Sequence, residues 1–159
     1  MPTEKADIFT LAMFGNLDSF KKKFVLKDIN IKNEYGNGLL HYSIAGEKFD
    51  ISIFLIKNGF NVNMTDADGN TSLHLICEHP NLNVAKEMLT QGGDLNIRNK
   101  FGNNALGTAV FNCKGRYYDM VELFMKYNPD TTTKNKAGRS PLDFAKQVGN
   151  DKLVTLLEK

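Results

Sequence analysis

The feature that most restricts how this chain can fold is a repeated stretch of about nine residues. It reads NEYGNGLLH (33–41), DADGNTSLH (66–74), NKFGNNALG (99–107) and NKAGRSPLD (135–143). Intervals of 33, 33 and 36 residues separate its turn glycines, which are Gly36, Gly69, Gly102 and Gly138. The same intervals, including the surplus of three, separate a second polar marker at 28–30, 61–63, 94–96 and 130–132. Two markers in phase indicate that the chain consists of repeated units.

Each repeated stretch predicts the start of a helix. A residue suited to the N-cap position stands three residues before the end of every copy: Gly38, Thr71, Asn104 and Ser140. Pro141 then occupies a first helical position, where its missing N–H costs little. The turn glycines provide backbone angles that other residues adopt only at a cost. A second run with apolar residues at helical spacing follows and predicts helices within 49–59, 83–93, 117–128 and 151–159.

A period of 33 residues with a core similar to T-P-L-H resembles the ankyrin repeat family. The four copies of that core are Gly38–His41, Thr71–His74, Asn104–Gly107 and Ser140–Asp143. The resemblance implies an all-α solenoid of stacked helix-turn-helix units with projecting β-hairpin-like turns. Residues 7–30 contain the same two runs with a weaker opening motif, so we expect an additional capping unit there. We therefore predict one domain, 1–159, with units of approximately 4–35, 36–68, 69–101, 102–137 and 138–159.

The composition restricts the class of partner. Charged residues make up 24% of the chain, yet the formal net charge is only +2, which argues against a nucleic-acid protein. The basic cluster Lys21–Lys23 fits the solvated face of a helix. No apolar run approaches the ~20 residues of a membrane span, and MPTEKADIF lacks the apolar core of a signal peptide. The two cysteines suit a reducing compartment, so we expect a cytoplasmic protein that is a monomer when unbound.

The histidines and cysteines offer little chemistry. In the ankyrin family the motif histidine bonds to the motif threonine and to neighbouring backbone, which implies a structural role for His41 and His74. Thr71 can support His74 in this way, whereas Gly38, which has no side-chain hydroxyl, is expected not to support His41. His79 is expected simply to be exposed. No zinc-finger spacing, calcium loop or phosphate-binding loop occurs, so we predict no metal, no cofactor and no enzymatic activity.

The resemblance implies binding through the turn tips and the exposed ends of the first helices. Carried over to this chain, the predicted partner-binding residues are Glu34, Tyr35, Asn37, Ala67, Asp68, Asn70, Glu78, His79, Lys100, Phe101, Asn103, Phe111, Asn112 and Arg139. Tyr35 and Phe101 suit interface anchors because large aromatic residues dominate binding energies. The alternative is that each ring folds back onto a neighbouring tip. The fourth unit has three extra residues, which lie within Cys113–Tyr118. This segment is interpreted either as a second contact site or as a tolerated surface insertion.

These observations favour a non-enzymatic protein–protein interaction module that binds, and inhibits or tethers, a protein partner through its concave face. Family analogy suggests an immunity or antitoxin protein, a host-interacting factor of a pathogen, or an adaptor. One rival is a thiol-based enzyme or sensor that uses Cys113, which is expected at the surface of an irregular stretch. Another is nucleic-acid binding through Lys21–Lys23 and basic tips.

Overall fold

The computed structural model describes residues 7–113 and 118–159. Within these residues the chain forms ten α-helices and no β-strand. The helices are α1 (Ile8–Phe14), α2 (Leu17–Lys23), α3 (Leu39–Ala45), α4 (Phe49–Lys57), α5 (Ser72–Leu75), α6 (Leu82–Thr90), α7 (Ala105–Cys113), α8 (Asp119–Met125), α9 (Pro141–Gln147) and α10 (Asp151–Leu157). The all-α fold predicted from the repeat is confirmed, and helices form within all four predicted second runs.

The helices stack in two layers. The odd-numbered helices α1, α3, α5, α7 and α9 pack successively on one another, and the even-numbered helices do the same. Each helix therefore contacts its counterpart one repeat away, as expected of a solenoid whose units meet only their neighbours. The layer of odd-numbered helices is called the inner layer below, and the other the outer layer. The proposed boundaries of the five units remain a prediction.

One continuous apolar core lies between the layers. The leucine of the repeated motif is fully buried in three copies, at Leu40, Leu73 and Leu106. The corresponding Leu142 of the last copy is only partly buried. A terminal unit has a neighbour on one side only, which explains this difference.

The helix starts follow the predicted capping chemistry. Ser140 Oγ accepts a hydrogen bond from the Asp143 amide at 3.0 Å, and Asp143 Oδ2 accepts one from the Ser140 amide at 3.0 Å. This reciprocal pair satisfies two amides at the start of α9, and Pro141 follows at the first helical position. The turn glycines have positive φ angles, such as 79° at Gly69, which confirms the reason for glycine there.

The fourth unit contains the three extra residues indicated by the interval of 36. The structure describes the end of α7 at Cys113 and the start of α8 at Asp119. The predicted Cys113–Tyr118 contact site lies largely at 114–117, outside the described residues. Across residues 7–113 and 118–159, none of the helices combines the length and apolar character needed to cross a membrane.

Candidate protein-binding face

The turn tips are residues 33–37, 66–70, 99–103 and 135–139, and each is held by its first side chain. Asn99 Oδ1 accepts hydrogen bonds from the amides of Phe101 and Asn103 at 3.0 and 3.1 Å. Asn33, Asp66 and Asn135 make the same pair of bonds in their own tips. Such Asx turns satisfy backbone donors locally. The loops that carry the predicted contact residues are therefore ordered by short, repeated hydrogen bonds.

Successive tips are also bonded to one another. The backbone amides of Ala67, Lys100 and Lys136 donate to carbonyl oxygens of the preceding tip at 3.2, 2.7 and 2.9 Å. Side-chain amides reinforce this ladder, because Asn99 Nδ2 donates to Asn70 Oδ1 at 2.9 Å and Asn135 Nδ2 to Asn103 Oδ1 at 2.7 Å. The four tips form one connected row, which reduces the entropy that a partner must remove on binding.

The second sequence marker explains a parallel row of bonds. Asn63 Oδ1 accepts from the Asp94 amide at 2.7 Å, and Asn96 Oδ1 accepts from the Asp130 amide at 2.8 Å. Asn30 makes the equivalent bond to the Asn61 amide at 2.8 Å. In each case the side-chain oxygen of the last residue in one triplet accepts a hydrogen bond from the backbone amide of the first residue in the next triplet. The marker recurs because it links neighbouring units.

The two motif histidines brace the tips from below. The Nδ1 atom of His74 accepts from the Thr71 amide at 3.1 Å, and Thr71 Oγ1 lies 3.0 Å from the same nitrogen. Since Nδ1 accepts, Nε2 carries the proton and donates to the Asn103 carbonyl of the next tip at 3.1 Å. Both rings are buried, and burial lowers their pKa below the ordinary value of 6.5.

The prediction that Gly38 cannot support His41 was wrong. The backbone amide of Gly38 donates to His41 Nδ1 at 3.1 Å, and His41 Nε2 reaches the Asn70 carbonyl at 3.3 Å. Any residue except proline at position 38 has that amide, so the missing hydroxyl removes one partner of the ring and leaves the bridge intact. Phe60 and Met64 fill the space where a side chain at position 38 would lie.

In the third motif copy Gly107 stands at the histidine position, and Asn104 at the threonine position both caps the helix and makes the longer-range bond. Asn104 Oδ1 accepts from the Gly107 amide at 2.8 Å and so caps α7. Its Nδ2 donates to the Asp130 carbonyl at 2.9 Å. The start of α7 is therefore bonded to the polar triplet 130–132 without a motif histidine.

The predicted contact residues divide into two groups by exposure. The exposed ones are Glu34, Tyr35, Ala67, Glu78, Lys100, Phe101, Phe111 and Arg139. The half-buried ones are Asn37, Asp68, Asn70, His79, Asn103 and Asn112. Tyr35 and Phe101 are 62% and 56% exposed, so neither ring is covered by the neighbouring tip. Whether these residues touch a partner stays a prediction.

Several half-buried members already have partners within the chain. Asn70 and Asn103 accept bonds from the following tip, and Asp68 Oδ1 receives the ammonium of Lys100 at 2.7 Å. His79 Nδ1 lies 3.3 Å from Glu47 Oε1, so His79 is tied to the preceding unit rather than simply exposed. These residues hold the face in shape and offer a partner fewer free groups.

A cleft of about 540 Å³ opens between the last two tips and the inner helices α7 and α9. Four predicted contact residues line it: Phe101, Asn103, Phe111 and Arg139. Sequence reasoning missed others, chiefly Phe144, whose ring centroid lies 5.5 Å from that of Phe111. The sequence signal for Phe144 was its position one residue after Asp143 of the last motif copy, where the ring is partly buried on α9.

Charge changes sign along the row of tips. The tip 66–70 contributes the carboxylates of Asp66 and Asp68. Basic residues stand in or beside the tips 99–103 and 135–139: Arg98, Lys100, Lys134, Lys136 and Arg139. Arg98 donates through Nε to the Gly102 carbonyl at 2.9 Å and through its terminal nitrogen to the Lys134 carbonyl. The C-terminal half of the face is therefore basic and held by its own cations.

The expectation that Cys113 is exposed was wrong. Cys113 is the last residue of α7 and its side chain is 1% exposed, facing the core. Helix α7 includes Cys113, and helical spacing directs position 113 inward together with Ala109 and Val110. A reactive thiol requires access to solvent, so this burial removes the observation on which the thiol hypothesis depended.

The comparison with known families agrees with this architecture. A family model described as ankyrin repeats (3 copies) matches residues 8–99 and again residues 73–159. The chain belongs to the ankyrin repeat family, whose repeats are protein–protein interaction modules and typically lack enzymatic activity.

Relatives of the chain occur in viruses, fungi and mammals. It is 29% identical over 123 residues to the ankyrin repeat protein FPV024 of Fowlpox virus. That aligned region covers 76% of the chain and 20% of the viral protein. It is 29% identical over 131 residues to "Probable 26S proteasome regulatory subunit p28" of Saccharomyces cerevisiae, covering 79% of the chain and 56% of the relative. It is 25% identical over 142 residues to the nuclear factor NF-kappa-B p105 subunit of Rattus norvegicus, covering 86% and 14%. The chain thus spans from about a seventh to just over half of these proteins.

Proposed function

We propose that this protein binds a protein partner through the row of turn tips and the exposed side of the inner helices, and thereby inhibits or tethers that partner. The observation that carries the proposal is the exposure of large aromatic rings on a bonded, ordered row of tips. Tyr35, Phe101 and Phe111 are 62%, 56% and 61% exposed. Exposed apolar side chains on a rigid face are the usual anchors of interfaces.

Rigidity supports this assignment further. The unbound chain already contains three kinds of hydrogen bond that order this face. They are the Asx turns within the tips, the amide hydrogen bonds between tips and the histidine bridges beneath them. A partner therefore meets a preformed surface and loses little free energy in ordering it. The family's role as an interaction module fits the same function. We place the protein in the cytoplasm, since both cysteines are free thiols as expected in a reducing compartment.

The test is affinity capture from lysate of the source cells with three proteins: wild type, Tyr35→Ala/Phe101→Ala, and Leu82→Ala/Tyr127→Ala. The last pair is a matched control, because Leu82 and Tyr127 are 41% and 42% exposed at the ends of outer helices. We expect wild type and control to enrich the same protein, and the tip variant to lose it.

The captured protein also distinguishes the possible roles. Restored activity of an enzyme or toxin on removal of the ankyrin chain indicates inhibition, whereas a change in the partner's location alone indicates tethering. Equal capture by the wild type and the tip variant, or specific loss with the control variant, contradicts the proposed face. Thermal unfolding of all three proteins should be similar, since none of the four side chains is buried.

A further inference from the structure

The cleft between the last two tips, 99–103 and 135–139, combines an apolar wall with unneutralised positive charge. Phe111 on α7 and Phe144 on α9 form the wall, with ring centroids 5.5 Å apart. Phe101 adds a third ring from the tip 99–103. At about 540 Å³ the cleft has the size of pockets that accept a bound group. It can bury a large apolar side chain of a partner.

The rim of the cleft is basic. Lys136 and Arg139 line it, and none of the other described lining residues is acidic. Arg139 donates to the neutral Gln147 Oε1 at 3.0 Å, so its charge is not compensated there. In the described chain no carboxylate lies within ion-pair distance of Lys136 or Arg139, whereas Lys100 is already paired with Asp68. Two cations are therefore free to meet carboxylates from outside.

We propose that this cleft binds an acidic segment of the protein partner, with one aromatic or large aliphatic side chain seated against Phe111 and Phe144. The inference rests on the proposed function and adds the chemistry of the partner. Carboxylates of the segment contact Lys136 and Arg139, and charge-assisted hydrogen bonds strengthen such contacts. Asp66 in the tip 66–70 repels an acidic chain, so the most acidic part lies toward the last tip, 135–139.

A protein segment fits this face better than a nucleic acid does. A phosphate backbone that ran along the row of tips would extend beyond the cations of the last tip, 135–139. It would then be repelled by the carboxylates of Glu34, Asp66 and Asp68. A short acidic segment meets only the basic end. The net charge of +2 also lacks the large excess that sequence-independent phosphate binding uses.

The test uses fluorescence anisotropy with labelled synthetic peptides. The first is a twelve-residue peptide of Asp, Glu and Ser with one central Phe, the second replaces Phe by Ala, and the third replaces every acidic residue by Lys. A labelled oligothymidine of similar length is the nucleic-acid probe. We expect the acidic Phe peptide to bind at least tenfold more tightly than each other probe. Its affinity should fall as salt rises.

The protein variants locate the site. Lys136→Glu/Arg139→Glu should weaken binding of the acidic Phe peptide at least tenfold. Lys57→Glu/Lys86→Glu changes the net charge equally on the outer helices α4 and α6, where both lysines are exposed, and should change it less than twofold. Phe111→Ala should remove most of the preference for Phe over Ala in the peptide. Circular dichroism confirms that each variant is folded.

Several results overturn the inference. They are equal binding of the basic peptide, tighter binding of oligothymidine, equal loss with the outer-helix variant, and no binding of any peptide at millimolar concentration. Capture of the partner by the protein variants distinguishes failure of the acidic-segment inference from failure of the proposed function. If Tyr35→Ala/Phe101→Ala loses the partner and Lys136→Glu/Arg139→Glu retains it, the face binds protein and only the acidic-segment inference is wrong.

Discussion

Acidification to pH 5.5 should destabilise the fold through His41 and His74. Both rings accept a backbone hydrogen bond at Nδ1 and donate from Nε2 to the next tip, an arrangement that requires the neutral ring. Burial, the largest cause, holds the pKa of both below the ordinary value of 6.5. The unfolded chain therefore takes up these two protons at a higher pH than the folded chain.

The sign and size of the effect follow from proton linkage. Because the unfolded state binds more protons below pH 6.5, the free energy of unfolding is highest above that pH and falls as the pH drops toward the folded pKa values. A ring that stays fully neutral in the folded state costs about 1.4 kcal/mol per pH unit below 6.5, so the upper limit for the two rings at pH 5.5 is about 3 kcal/mol. That is a large fraction of the stability of a small domain.

Urea unfolding followed by far-UV circular dichroism at pH 7.5 and pH 5.5 measures this loss. The control is His41→Gln/His74→Gln, which should be less stable at pH 7.5 but nearly insensitive to pH over this range. Asp7, Asp130 and Asp143 have pKa values lowered from 3.8 by hydrogen bonds, so their contribution is lost only at more acidic pH. An unchanged free energy at pH 5.5, or the same decrease in the glutamine variant, refutes the reasoning.

Three further substitutions test the packing and the links between units by chemical denaturation. Ser72→Pro should raise stability by about 0.5–1 kcal/mol, because the Ser72 hydroxyl is buried without a partner in the described chain and proline suits a first helical position; a loss would contradict this. Gly46→Ala should cost at least about 2 kcal/mol, since the new Cβ would lie 1.9 Å from the Met13 carbonyl oxygen; near-neutral stability would contradict it. Asn96→Ala should cost about 1 kcal/mol through loss of its bond to the Asp130 amide, and no measurable change would show that the link is dispensable.

The helices and the capped starts were predictable because they depend on local patterns. Apolar spacing within 49–59 and 83–93 was sufficient to predict α4 and α6, and the N-cap predicted at Ser140 is confirmed, with Asp143 as its reciprocal partner in the structure. The exposure of Tyr35 and Phe101 was predictable for the same reason. Both precede a glycine whose positive φ turns the chain away from the core.

The links between units were harder to predict because they join residues about thirty positions apart. The hydrogen bond from the Asp94 amide to Asn63 Oδ1 shows that the polar triplets link neighbouring units. The sequence of the triplets alone does not identify this bond. Support of His41 by the Gly38 amide was missed because a backbone group leaves no mark in the sequence. Four lining residues of the cleft were predicted as contact residues, but the cleft itself was not. It depends on the approach of Phe111 and Phe144, which meet because α7 stacks on α9.

The central claim is that a protein partner binds the tips and the inner helices. Amide hydrogen exchange of the chain, alone and with the captured partner, tests it most directly. We predict slower exchange in peptides that cover 33–37, 99–103 and 135–139, with no change in those that cover the outer helices α4 and α6. Protection confined to the outer helices, with unchanged tips, would contradict the account.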